Sequence, residues 1–175
     1  MEELIDVLNE DGTKTGKVVT RKEVHEKGLW HRIVVIAIID KEGHILMQQR
    51  AKDKETNPEK WDVSVAGHVS AGQTSIEAAI REVKEEIGMN LEEKDLQYML
   101  TYQTGRKVKE HFYSNHIFDF YLVKTEVIDV SKIKIQESEV EQVKLCKLEE
   151  VQQMLSKNVV VKRKPVYEVL IKYLK

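Results

Sequence analysis

Three features of the chain predict an α/β fold. Ile33–Ile39 is an unbroken apolar run between Arg32 and Asp40, the length and character of a buried strand. Thr74–Gly88 carries a helical apolar period closed at both ends by capping residues. Strand-like segments lie on both sides of that helix, and strands interleaved with helices build mixed layers.

Taken in order, Leu4–Leu8 and Lys17–Val19 flank Asn9-Glu10-Asp11-Gly12, a turn signal, and predict a hairpin. Thr20 and Glu23 form a capping box for a short helix to about Lys27, which Gly28 ends. Ile33–Ile39 is a central strand, Lys41-Glu42-Gly43-His44 a turn, and Ile45–Arg50 the returning strand. Ala51–Lys60 is polar, contains Pro58 and reads as a surface loop. Trp61–Val65 delivers the chain to Gly67. Leu96–Thr104 and Ile117–Val123 read as strands, with charged Gly105–Glu110 between them as a loop near the site. Val127–Ile135 fits neither period. Val140–Leu148 reads as a strand and Glu149–Leu155 as a short helix. Pro165 opens a last helix to Lys175, with Val169, Leu170, Tyr173 and Leu174 inward. There is no repeat, linker or low-complexity tract, so one domain over residues 1–175 is expected, with residues 1–28 as an extension.

Composition narrows the function. The 175 residues include 28 basic and 30 acidic side chains, a formal net charge of −2, which argues against a general binder of nucleic acid or membrane surfaces. One cysteine, Cys146, allows no intrachain disulfide and points to the reducing cytoplasm. It lies in the alternating run VKLCKL, which suits packing better than nucleophilic chemistry. MEELID lacks a basic-then-apolar leader pattern, and the Ile33–Ile39 run is far too short to span a bilayer.

The chemistry gathers between Gly67 and Met89. In the helix opened by Thr74 and Glu77, Ile76, Ala79, Ile80, Val83 and Ile87 form one stripe at about 100° per residue. Glu82, Glu85 and Glu86 form another, with Ala78 among them adding almost no bulk. Like charges three and four apart oppose a helix by about 0.2–0.5 kcal/mol per pair. A hard divalent cation offsets that repulsion; so would a solvated face with Arg81 and Lys84 as partners.

The order Gly67, Arg81, Glu82, Val83, Glu85, Glu86, Gly88, Met89 resembles the Nudix box of the Nudix hydrolases. One fixed position departs: Gln73 stands where the family has its first Glu. The resemblance implies an α/β/α sandwich around a mixed sheet. It implies metal binding by Glu82, Glu85, Glu86 and the Gly67 carbonyl, with Arg81 orienting the glutamates. A neutral amide at Gln73 would weaken one metal position.

Other residues join by the same resemblance. Arg50 closes ILMQQR, a common ending before the box, and a guanidinium pairs well with phosphate oxygens; it equally suits a surface pair with a loop acid. Lys60-Trp61-Asp62 resembles the segment leading into the box, which makes Lys60 a candidate substrate contact. Trp61 reads as core packing or a substrate contact. Glu139, in QESEVEQVKL, fits a late catalytic or metal-binding acid, or else an exposed acid in an acidic run.

A second constellation comprises His25, His31, His68 and Glu110. Its segments resemble the Nudix relative isopentenyl-diphosphate isomerase over roughly Lys14–Tyr121, and that resemblance implies a histidine–glutamate metal site; ordinary polar packing is the other reading. Two departures oppose isomerase chemistry. Val65, Ala66 and Gly67 occupy the stretch where the isomerase has its cysteine, and Phe112 replaces a glutamate after Glu110-His111.

The expectation is therefore a Mg²⁺- or Mn²⁺-dependent hydrolase of a nucleoside diphosphate derivative or related diphosphate. Glu82, Glu85 or Glu139 would be the base, and the substrate is a small molecule. An isomerase-like enzyme and a non-catalytic nucleotide-binding module are the alternatives. The N-terminal hairpin would either cap the domain or pair two subunits in a homodimer.

Overall fold

The computed structural model describes residues 2–175. Its N-terminal hairpin pairs β1 (Leu4–Leu8) with β2 (Lys14–Thr20), antiparallel. Helix α1 (Arg21–Glu26) follows, its first turn capped by the Thr20 hydroxyl, which accepts from the Glu23 amide at 3.2 Å. The hairpin caps its own domain: Ile5 bridges to Ser70, Leu8 to Trp30, and Ile5, Val7 and Leu8 are buried.

The main sheet is built on β3 (His31–Asp40) and β4 (Ile45–Arg50), joined by a tight turn. These two strands pair only at Ile39 and Ile45 and then diverge. The gap is filled by β5 (Trp61–Val63), which pairs with β4, and β6 (Val65–His68), which pairs with β3. Ser64 sits at the fork. Its hydroxyl accepts from the Ile38 amide at 2.8 Å and donates to the Leu46 carbonyl at 2.6 Å, so neither buried group is orphaned. The long hairpin β7 (Leu96–Lys109) and β8 (Phe112–Thr125) completes one side, with β8 parallel to β3. On the other side β9 (Val140–Cys146) pairs with β4.

Because successive side chains on β3 point to opposite faces, its apolar run feeds two cores. Val34, Ile36 and Ile38 meet Ala78, Ala79, Val83 and Ile87 of α2 (Ser75–Ile87). Ile33, Val35, Ala37 and Ile39 meet Val151 and Met154 of α3 (Leu148–Ser156) and Val166, Tyr167 and Leu170 of α4 (Lys164–Leu174). The result is the α/β/α sandwich. Among the described residues no helix is long and apolar enough to cross a membrane.

Three expectations need correction. Gly105–Glu110 is not a loop beside the site: β7 runs to Lys109, and the chain reverses at Glu110-His111, with His111 at φ +55°. Its charges hid the strand because an exposed strand keeps Lys and Arg on its open face. In α4 Leu170 is buried and Val169 and Leu174 pack partly buried against the core as expected, joined by Val166 and Tyr167, whereas Tyr173 is exposed beneath the Lys124 ammonium. Ala78, expected among the carboxylates, is fully buried in the α2 core. Val127–Ile135 holds only a short 3₁₀ turn, Val130–Lys132.

Candidate active site

A cavity of about 670 Å³ opens at the mouth of the β3–β4 fork. Helix α2 supplies one wall because both its ends are fixed. Thr74 and Glu77 cap it reciprocally, and Gly88 ends it in the left-handed conformation at φ +69°. With Val83 and Ile87 anchored in the core, the i, i+3, i+4 spacing turns Glu82, Glu85 and Glu86 toward β6 and the cavity.

Strand β6 meets that face with a glycine. A Cβ on Gly67 would lie 2.0 Å from the Glu82 carboxyl carbon, so any side chain there would displace the glutamate. Arg81 ties the pieces together. Its guanidinium donates to Glu82 at 2.8 Å, to Glu85 at 3.1 Å, to the His68 carbonyl at 2.8 Å and to the Gln73 amide oxygen at 3.3 Å. Gln73 thus lies against Arg81 as a neutral acceptor. From β4, Gln48 donates to Glu86 at 3.1 Å.

Burial sets the electrostatics. Glu86 is only 4 % exposed, and its pKa is pushed up to about 8 by burial first and by the Glu82 charge second. Burial also raises Glu82, to about 7, with Arg81 opposing the shift. A buried carboxylate is held ionised most readily by a nearby cation, and one guanidinium shared among the acids does not suffice. The Gln48 side-chain oxygen, buried beside Glu86, has no hydrogen-bond partner among the described residues. Three carboxylates and an amide oxygen, with the Gly67 backbone beside them, make an all-oxygen set of the kind that suits a hard divalent cation.

The opposite wall mixes the cations Arg50, Lys54 and Arg163 with the acids Asp53, Glu55 and Glu139. Arg50 lines the cavity and holds the Ala51–Lys60 loop by donating to the Thr56 carbonyl at 3.1 Å. Lys54, on that loop, pairs with Glu139, which stands just before β9 and also faces the cavity. Arg163 forms a bidentate pair with fully buried Asp62, at 2.8–3.1 Å.

Of the residues singled out by sequence, Gly67, Gln73, Arg81, Glu82, Glu85, Glu86, Arg50 and Glu139 line this one cavity. Lys60 does not; Lys54 occupies that side. Trp61 packs against the α3–α4 core with the Lys144 ammonium 4.7 Å above its ring. Cys146 is buried. Glu110 lies at the β7–β8 turn with an 84 % exposed side chain, outside any cluster with the histidines.

His116 takes the place expected of Glu110. His25, His31, His68 and His116 converge so that one ring nitrogen from each lies within 4.8 Å of all the others. Burial lowers the pKa of all four, His31 to about 4. Sequence reading missed His116, Lys54 and Arg163. His116 owes its place to the parallel β3–β8 register, in which it sits opposite His31. No local pattern in FYSNHIFDF announces that pairing, and VKRKP announces no partner for Asp62.

Comparison with known proteins agrees with this geometry. The NUDIX domain family model matches residues 29–170. Nudix hydrolase 3 of Arabidopsis thaliana is 37 % identical over 159 residues, 89 % of this chain, but the chain spans only 21 % of that protein. An uncharacterized Nudix hydrolase of Listeria monocytogenes is 34 % identical over 151 residues, covering 86 % of this chain and 83 % of its own. An isopentenyl-diphosphate Delta-isomerase of Serratia proteamaculans is 32 % identical over 121 residues, 67 % of this chain and 65 % of its own. Among solved structures, DR0079 of Deinococcus radiodurans shares the fold, with a TM-score of 0.71, 18 % identity and coverage of 97 % and 98 % of the two chains. A helix presenting three carboxylates to a glycine strand, the order of residues that builds it and the match over most of the chain agree: the chain belongs to the Nudix hydrolase family.

Proposed function

We propose that the protein hydrolyses the diphosphate linkage of a nucleoside diphosphate derivative, using Mg²⁺ or Mn²⁺. The observation that carries this reading is the gathering of Glu82 and Glu85 by Arg81 against the Gly67 opening, with Glu86 beside them, inside a cavity that Arg50, Lys54 and Arg163 also line.

Glu82, Glu85, Glu86 and the Gly67 carbonyl would hold the metal. When bound, the divalent ion polarises phosphoryl oxygens and favours deprotonation of water. The remaining work falls to side chains. Arg50 and Lys54 face the phosphates as donors, and a guanidinium can engage two phosphate oxygens at once. Arg163 adds positive potential while Asp62 fixes its plane. Arg81 is a positioning residue: it sets the angle of Glu82 and Glu85 and anchors β6 through the His68 carbonyl. One cavity carboxylate accepts the proton of the attacking water: Glu82 or Glu85 on the helix, or Glu139 across the cavity. As water attacks one phosphorus, the P–O bond of the bridging oxygen breaks and two phosphorylated products leave.

The isomerase alternative finds no support in the chain's thiol chemistry. Cys146 is buried in the α3–α4 core, away from the cavity.

The test is phosphate release after phosphatase treatment of the products, across nucleoside diphosphates, nucleoside diphosphate sugars, dinucleoside polyphosphates and isopentenyl diphosphate, with Mg²⁺ or Mn²⁺. Glu85→Gln should lose at least about 10²-fold in turnover, the scale expected for a positioned acid or base, with unchanged circular dichroism. Near wild-type rates in that variant would sink the assignment. Migration of the double bond in isopentenyl diphosphate without hydrolysis would replace the reading by the isomerase one.

A further inference from the structure

The four histidines, two buried and two half-buried, are a group of ionisable side chains that this reaction does not use. They come from four separate elements: His25 from α1, His31 from β3, His68 from β6 and His116 from β8. His25 and His31 each place Nδ1 on a backbone carbonyl, Tyr113 at 2.8 Å and Leu29 at 2.9 Å. A carbonyl only accepts, so both Nδ1 atoms carry the proton and both neutral rings turn a lone pair on Nε2 inward. Carbonyl-anchored Nδ1–H is the usual support of a metal-ligating imidazole. The Nε2 atoms of His25 and His68 approach to 3.2 Å. The Nε2 atoms of His31, which is fully buried, and of His116 have no hydrogen-bond partner among the described residues. A buried polar atom without a partner forfeits the hydrogen bonds it made to water in the unfolded chain. Two of them facing one point call for an occupant that accepts lone pairs.

We propose that His25, His31, His68 and His116 form a closed, four-imidazole site for a zinc-class divalent transition metal, separate from the carboxylate site. Imidazole nitrogen suits Zn, Cu, Fe and Ni, whereas Mg²⁺ prefers oxygen. Zn–N bonds of about 2.0–2.1 Å in a tetrahedron set the nitrogens about 3.3–3.4 Å apart. One pair is already at 3.2 Å and all lie within 4.8 Å, so side-chain rotation of about an ångström closes the set. Four protein ligands leave no open position, which marks a structural site rather than a catalytic one. The metal would tie the N-terminal extension, through His25, to three strands of the main sheet. It would also fix β6, whose Gly67 faces Glu82 and whose His68 carbonyl holds Arg81. This inference does not depend on the hydrolase reading.

The experiment uses the full chain, stripped with a chelator and titrated with Co²⁺ and Zn²⁺ in excess Mg²⁺. One equivalent of Co²⁺ should give the intense visible absorption of a tetrahedral ion, should be displaced by one equivalent of Zn²⁺, and should raise the unfolding temperature. His116→Gln should reduce the bound equivalent at least tenfold. If that variant does not fold, His25→Gln serves, because α1 lies outside the main sheet. Glu85→Gln should keep the tetrahedral signal even if it has no activity. The weak absorption of an octahedral ion, or binding lost in Glu85→Gln but kept in the folded histidine variant, would overturn the proposal, as would no tightly bound Co²⁺ or Zn²⁺.

Discussion

Glu82, Glu85 and Glu86 line the same cavity as three of the four histidines, His25, His68 and His116, and burial acts on the acids and the imidazoles with opposite sign. It pushes the Glu82 and Glu86 carboxyls up and the four imidazoles down. The two differ in how the chain assembles them. Three glutamates within five residues share one helix face and one arginine, whereas four histidines come from residues 25 to 116 and meet only when two strands, a strand end and the N-terminal helix dock. They differ also in donor chemistry, all oxygen against all nitrogen, which separates the cations each can hold. A compact helical motif makes a site that follows from local spacing; a dispersed set depends on every long-range contact around it.

The sharpest way to break this contrast is Gly67→Ala. The added methyl would collide with Glu82, so turnover should drop at least about 10²-fold and stability by about 1–3 kcal/mol, the usual range for overpacking. Parallel rate and thermal-unfolding measurements check it. A variant with normal turnover would show that Glu82 is free to swing away.

Next in size is the pH dependence of stability in protein stripped of divalent ions. The folded pKa values of Glu82 and Glu86 are raised from 4.5 to about 7 and about 8. Their contribution is therefore full below about pH 4.5 and is lost as pH rises through 7 and 8. His31 is lowered from 6.5 to about 4, so its contribution is full above pH 6.5 and is lost as pH falls toward 4. Urea midpoints should peak between about pH 4.5 and 6.5 and decline on both sides. A midpoint rising steadily to pH 9 would refute the carboxylate half of the contrast.

Glu86→Gln separates the two limbs. It replaces a buried acid by an amide of the same shape, so the alkaline decline should shrink while the acid decline stays. The same urea series, run on the variant, reads this directly. The smallest effect belongs to Gln73→Glu. It places a third carboxylate on Arg81, and a partly exposed pair of this kind contributes about 0.2–1 kcal/mol. Calorimetric Mg²⁺ affinity should rise about two- to fivefold; weaker binding would show that Arg81 is drawn off Glu82 and Glu85.

The sequence by itself determined what local spacing encodes. The α2 caps at Thr74, Glu77 and Gly88, the opposed apolar and acidic stripes, the β3 run and the place of Gly67 in the order of residues were all legible. Each depends on side chains a few residues apart, and helical and strand periods fix such neighbours without knowledge of the rest of the fold. Family membership was legible for the same reason. Only the tertiary structure decided what lies across from these residues. The β3–β8 register brought His116, not Glu110, to His25, His31 and His68. The Ala51–Lys60 loop turned Lys54 rather than Lys60 into the cavity, and Arg163 found Asp62 across a hundred residues of chain. Charged Gly105–Lys109 became strand because β8 pairs with it from Asn115 to Phe112, through a register shift between Lys107 and Lys109. Pairing between distant strands satisfies backbone groups irrespective of side-chain pattern, so the partner of a residue is set by the whole sheet and not by its neighbours in sequence.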